Sequence, residues 1–154
     1  MSRGWLSLPA LALLAGCSSV TYSNERLEAI QRELNRRYDL WKGQAISAYD
    51  YQFARECLCP SDLTRPVLVS VADSVVRAVI YVDSGTAVPA SAFSSYFTVE
   101  GLFRQAQIGI NVLADSLVVE YDPQLHYPTR IVVDQDRRIA NDELALFASD
   151  LKRQ

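Results

Sequence analysis

The chain is poor in the residues that most often carry chemistry. It has one histidine, His126, and three cysteines in 154 residues. A serine-histidine-carboxylate triad would have to use His126, and no Gly-x-Ser-x-Gly turn presents a nucleophile. Basic charge is also scarce, with 15 Lys and Arg against 18 Asp and Glu, a formal −3. That balance argues against nucleic acid, which wants a basic stripe. Long hydrophobic runs are missing too. The longest, Trp5 to Leu14, is about ten residues, half of the roughly 20 that span a bilayer as a helix. No constellation of side chains assigns a catalytic residue, a metal or a cofactor, and the reading is of a non-enzymatic protein. What remains is a composition rich enough in Val, Ile, Leu, Tyr and Phe to build one globular core.

The amino-terminal run has the shape of a processed leader. Arg3 supplies a basic start, Trp5 to Leu14 an apolar centre, and Leu14-Ala15-Gly16-Cys17 closes it. This tetrapeptide resembles the lipobox of bacterial lipoproteins. The resemblance implies cleavage between Gly16 and Cys17 and a diacylglycerol on the Cys17 sulfur. Each buried lipid methylene is worth about 0.8 kcal/mol, so two or more chains anchor stably. Ser18 follows the cysteine, and in Gram-negative lipoproteins that implies the outer membrane, facing the periplasm. The expected partners are a membrane reached through this lipid and an envelope protein, with no nucleic acid. The expected domains are a leader over 1–16, a tether over 17–24 and a single domain over 25–154. Taking 16 from 154 leaves 138 residues, and losing Arg3 moves the formal charge to −4.

Periodicity then gives the elements. Leu27, Ile30, Leu34, Tyr38 and Trp41 recur at three and four, predicting a helix that starts near Glu25 and stops at Gly43. Strict alternation from Ser47 to Cys59 places Tyr49, Tyr51, Phe53 and Arg55 on one side of a strand. Val67–Val71 and Val75–Val82 read as a hairpin around Ala72-Asp73-Ser74, followed by a loop from Asp83 to Tyr96. Thr98 caps a second helix in which Gly109 predicts close approach to a sheet. Ser116–Tyr121 and Thr129–Asp134 are two more strands, and Glu143–Ala148 is assigned as a last one. The order is helix, three strands, helix, three strands. It predicts an α+β fold, an antiparallel sheet with two amphipathic helices on one face. An internal α-β-β-β duplication is one reading of that order.

Several sites follow. With Cys17 lipidated, Cys57 and Cys59 remain as a pair in an oxidising space. Residues two apart on a straight strand are separated by about 6.6 Å, so a Cys57–Cys59 disulfide needs a bend, which Pro60 permits. Free thiols, or a redox or metal role with His126, are the alternatives. Asp134, Asp136, Asp142 and Glu143 suggest calcium, but a canonical EF-hand loop begun at Asp134 would have Ile139 for its glycine and Ala145 for its glutamate. Those carboxylates read better as turn caps. Trp41, Tyr49, Tyr51 and Phe53 read as core rather than as a ligand groove.

A set of short matches, in order, resembles the bacterial domain of unknown function 6174. They are Trp41, Tyr49-Asp50-Tyr51-Gln52-Phe53, Cys57-Leu58-Cys59 and Thr98-Val99-Glu100-Gly101-Leu102-Phe103. Tyr121-Asp122-Pro123, Tyr127-Pro128-Thr129-Arg130-Ile131, Asp134 and Asp142-Glu143 complete it. The chain departs from the family at His126, where glycine is usual, and at Asp73-Ser74, where Asp-Gly is favoured. The resemblance implies secreted or lipid-anchored relatives and assigns no activity.

Overall fold

The computed structural model describes residues 18–154, with side chains from Asn24 onward. The leader, its cleavage site and Cys17 lie outside the described residues. α1 spans Ser18–Gly43. It begins seven residues before the predicted start at Glu25, so residues 18–24 are helical where a tether was expected. No glycine or proline interrupts Ser18 to Lys42, so nothing in the sequence stops the helix from extending backwards.

Six strands follow: β1 Ala48–Glu56, β2 Val67–Ala72, β3 Val75–Tyr81, β4 Ser116–Tyr121, β5 Pro128–Asp134 and β6 Leu144–Arg153. A short helix α2, Ser61–Thr64, separates β1 from β2, and a 3-10 turn, Ala90–Ser95, lies in the long loop. α3 spans Val99–Asn111. The sheet order is β3-β2-β1-β6-β5-β4, antiparallel throughout, so the architecture is the expected α+β. Each half repeats the helix-then-three-strands order. The alternation of directions makes β4 run opposite to β1, so the second half is not a translated copy of the first.

One face of the sheet is the core. Tyr49, Tyr51 and Phe53 pair in register with Val71, Val69 and Val67. Leu146, Ile131 and Leu117 continue the apolar surface, and all these side chains are buried. Leu27, Leu34 and Trp41 of α1 and Val99, Leu102, Phe103 and Ala106 of α3 close over it. Gly109 stands where predicted, because a β-carbon there would lie 3.0 Å from Leu117 Cδ1 and 3.4 Å from Val133 Cγ2.

The entry to α3 is held from the sheet. Thr98 Oγ1 accepts from the Gly101 N–H at 3.1 Å, and the buried Tyr49 hydroxyl accepts from the Val99 N–H at 2.8 Å. Two of the helix's orphan donors are thereby satisfied. The Tyr51 hydroxyl donates to the Phe97 carbonyl one residue before the cap. Burial pushes both tyrosine hydroxyls well above their usual pKa.

Both sheet edges are blunted. Along β3, the Tyr81 N–H donates to Thr86 O at 3.0 Å, and Val88 N–H donates to Val79 O at 2.8 Å. At β4, Arg26 Nη2 donates to Leu117 O at 3.1 Å. These contacts occupy backbone groups that would otherwise template another strand.

Two outcomes are expected. Tyr49→Phe leaves the Val99 N–H buried without an acceptor and destabilises by about 1–3 kcal/mol in denaturant unfolding. The β2–β3 hairpin turns through Asp73 at φ 54° and Ser74 at φ 59°, the left-handed pair of a type I′ turn. Ser74→Gly, at an exposed site, stabilises by about 0.5–1 kcal/mol in the same measurement.

Candidate functional site

β1 ends at Glu56, and the chain then bends. Cys57 and Cys59 are joined by a disulfide with their Cα atoms 5.4 Å apart, shorter than a straight strand allows. The Cys59 N–H donates to the Cys57 carbonyl at 2.9 Å, closing a three-residue turn. Leu58 stands at its apex and is 82% exposed, the most exposed large hydrophobic side chain among the described residues. The covalent bond and the backbone hydrogen bond together fix the backbone at this exposed apolar residue.

Beside this turn lies a groove of about 440 Å³ on the face of the sheet opposite α1 and α3. Strand register explains its floor. Glu56 pairs with Ala145 and Ala145 with Val132, while Arg130 pairs with Phe147. These residues alternate with the buried set and so point away from the core. Cys57 and Leu58 form one wall, and Asn141 and Glu143 the other. Arg130 is the cation of the groove, and Glu120 accepts from its Nη1 at 2.9 Å. Glu56 and Glu143 are exposed and make no ion pair among the described residues. At the same end, Asp134 has its carboxyl pushed above the usual range by desolvation and by the nearby Asp142 and Glu143 charges.

The other predicted residues are scattered. His126 sits in the β4–β5 turn, at the opposite end of the sheet from the disulfide, so no site joins it to Cys57 and Cys59. Its φ of 65° lies in the left-handed region that glycine adopts most readily. Its Nδ1 lies 3.0 Å from Arg37 Nη1, and because a guanidinium only donates, Nδ1 is placed as the acceptor. Arg37 in turn donates to Glu33 at 2.7 Å and lies over the Tyr121 ring, 5.3 Å from its centre. Hydrogen bonds from Arg36 and Arg37 hold the Glu33 carboxyl down at about 2. This cluster ties α1 to the β4–β5 turn.

In the acidic loop Asp136 and Asp142 accept hydrogen bonds as turn caps, while none is found for Asp134 or Glu143 among the described residues. Asp142 Oδ2 accepts from the Asp136 N–H at 3.0 Å, and Asp136 accepts from Arg138 through both oxygens. Among the described residues no three His, Cys, Asp or Glu side chains gather as a metal site. Trp41, Tyr49, Tyr51 and Phe53 are core, and the Trp41 N–H donates to Glu100 at 3.1 Å.

Sequence reasoning missed the groove. A signal existed in the second register of the strands. Ala54, Val132, Ala145 and Phe147 occupy positions that a fully solvated face fills with polar residues. It also missed the setting of Arg55, whose guanidinium lies 5.2 to 5.7 Å from the Phe53, Tyr96 and Phe97 ring centres and donates to the Ser95 carbonyl. Burial lowers its pKa.

No curated protein and no solved structure matches this chain. The model of a family of unknown function, DUF6174, matches residues 33–153, from the middle of α1 to the end of β6. That span takes in the whole sheet, the Cys57–Cys59 turn and the groove. The chain belongs to the DUF6174 family.

Proposed function

We propose that this chain is a lipid-anchored domain of the bacterial cell envelope that acts as a non-enzymatic binding module. Lipid on Cys17 holds it to a membrane, by this reading the outer membrane on its periplasmic side. Its partner is another envelope component, met through the sheet face that the helices leave uncovered. The observation that carries the binding role is the groove on that face, lined in part by apolar side chains and flanked by a covalently closed turn. Two further features support the location. The Leu14-Ala15-Gly16-Cys17 stretch resembles a lipobox, and the Cys57–Cys59 disulfide suits an oxidising compartment.

A second reading makes the pair a thiol redox centre. Its support is position, since both cysteines are partly exposed in a surface turn rather than sealed in the core. The two readings separate by experiment. In the binding reading the pair stays oxidised in envelope extracts, blocked to thiol labels. Cys57→Ser with Cys59→Ser then costs less than about 2 kcal/mol, because so small a ring removes little chain entropy. A pair that cycles between labelled and blocked forms in the living cell establishes the redox reading instead.

The anchor has its own test. In a lipoprotein-processing bacterium fed a tagged fatty acid, the wild-type chain incorporates label and loses residues 1–16. Cys17→Ser takes up no label and keeps the leader, as intact mass shows. Cleavage and membrane fractionation unchanged by that substitution would defeat the lipid-anchor reading.

A further inference from the structure

We infer that Leu58 and the adjoining groove form a docking site for a basic peptide segment carrying apolar anchors. This rests on the binding-module reading and names its partner class. Three observations carry it.

The first is preorganisation. Leu58 is fixed between two disulfide-bonded cysteines and beneath a backbone hydrogen bond, yet 82% of it is exposed. Its backbone position is set before any partner arrives, so binding need not order the turn that carries it. The second is shape. Leu58 stands against a groove whose floor includes Val132, Ala145 and Phe147, a continuous apolar strip on two neighbouring strands. An extended segment crossing this strip seats alternate side chains on it, and Leu58 closes over one of them.

The third is charge. Arg130 is paired with Glu120, and among the described residues no other Lys or Arg lines the groove. Glu56 and Glu143 flank the strip without an ion pair among the described residues. Asp134 and Asp142 add negative charge at the same end of the sheet, where Arg137 is the cation that opposes it. A lysine- or arginine-bearing segment answers this pattern, whereas an acidic one is repelled.

The test uses the full chain extracted from the envelope in mild detergent. The probe is a dye-labelled nine-residue peptide of alternating lysine and leucine, followed by fluorescence anisotropy. Its counterparts replace lysine with glutamate, or leucine with serine. The lysine–leucine peptide binds and both counterparts bind at least about tenfold more weakly. Glu56→Lys with Glu143→Lys weakens binding about tenfold or more, and Leu58→Ser by a similar factor. Glu25→Lys with Glu28→Lys makes the same net charge change on α1, and leaves affinity within about twofold. Releasing the turn by Cys57→Ser with Cys59→Ser weakens binding while Leu58 remains.

Equal losses in the α1 and groove charge reversals would overturn the site. So would equal binding of the glutamate–leucine peptide. Failure of the peptide alongside Leu58-dependent binding to phosphatidylethanolamine–phosphatidylglycerol vesicles would overturn the partner class. A photo-crosslinker at Ser70, elsewhere on the uncovered face, tells the two levels apart. Capture of an envelope protein there with no peptide binding at the groove ends this inference and leaves the binding module standing. Failure of both ends both.

Discussion

The fold depends on two phenolic hydroxyls buried under the helices. Tyr49 and Tyr51 lie at 1% and 0% exposure, and a hydroxyl in that setting must find a partner or cost free energy. The partners are backbone groups of Phe97 and Val99, on either side of the Thr98 cap. The central strand therefore dictates where α3 begins and in which direction it leaves. From there the helix can only run across β5 and β4, and Gly109 lets it settle on Leu117 and Val133. Trp41 packs edge-on against Tyr49, ring centres 5.6 Å apart, and brings α1 onto the same surface. One strand's aromatic ladder thus positions both helices, and both must lie on its side of the sheet.

That arrangement has a consequence for the opposite face. With α1 and α3 committed to one side, the alternate residues of β1, β5 and β6 meet neither of these two helices. A fully polar set would make that face ordinary solvent-facing sheet. Phe147, Val132, Ala145 and Ala54 are not such a set, and each is partly exposed. Blunted edges matter here as well. Contacts from residues 86–88 and from Arg26 occupy edge backbone groups, so strand addition is disfavoured and recognition through side chains on the open face is favoured.

Much of the core side was legible because it rests on period alone. Tyr49, Tyr51 and Phe53 alternate, and Leu27, Leu34 and Trp41 recur at helical spacing, so the sequence announces which face is buried. Thr98 and Gly109 were legible because each has one dominant local explanation, a cap and a close approach. Other features hide behind long-range causes. β6 runs on to Arg153 past polar Ser149-Asp150, where pairing with β1 shifts register and Asp150 adopts φ 53°. Such a bulge breaks the alternation that marks a strand. The end of α3 was equally opaque. Leu113 takes the left-handed position at φ 55°, while Ala114 and Leu113 donate back to Gly109 and Ile110. This is the arrangement glycine normally closes. His126 and Ser74 repeat the theme, since each stands at a positive φ that glycine adopts most readily. The groove itself is a product of register between strands distant in sequence, which no single segment displays.

The Cys57–Cys59 bond is best understood against this background. A disulfide stabilises chiefly by restricting the unfolded chain, and the effect grows with loop length. A ring enclosing one residue does this least. The core already holds β1 through its aromatic ladder, so the strand does not require the bond to stay in place. What the bond changes is local. It limits the backbone at Leu58 to one turn, at the point where β1 leaves the sheet and Pro60 turns the chain toward α2. Thermodynamic return on such a constraint is small in the free protein and larger in a complex, where ordering a flexible turn would otherwise subtract from affinity. The position of this ring, at the lip of a partly apolar groove on the face opposite α1 and α3, makes recognition the more economical account of its presence.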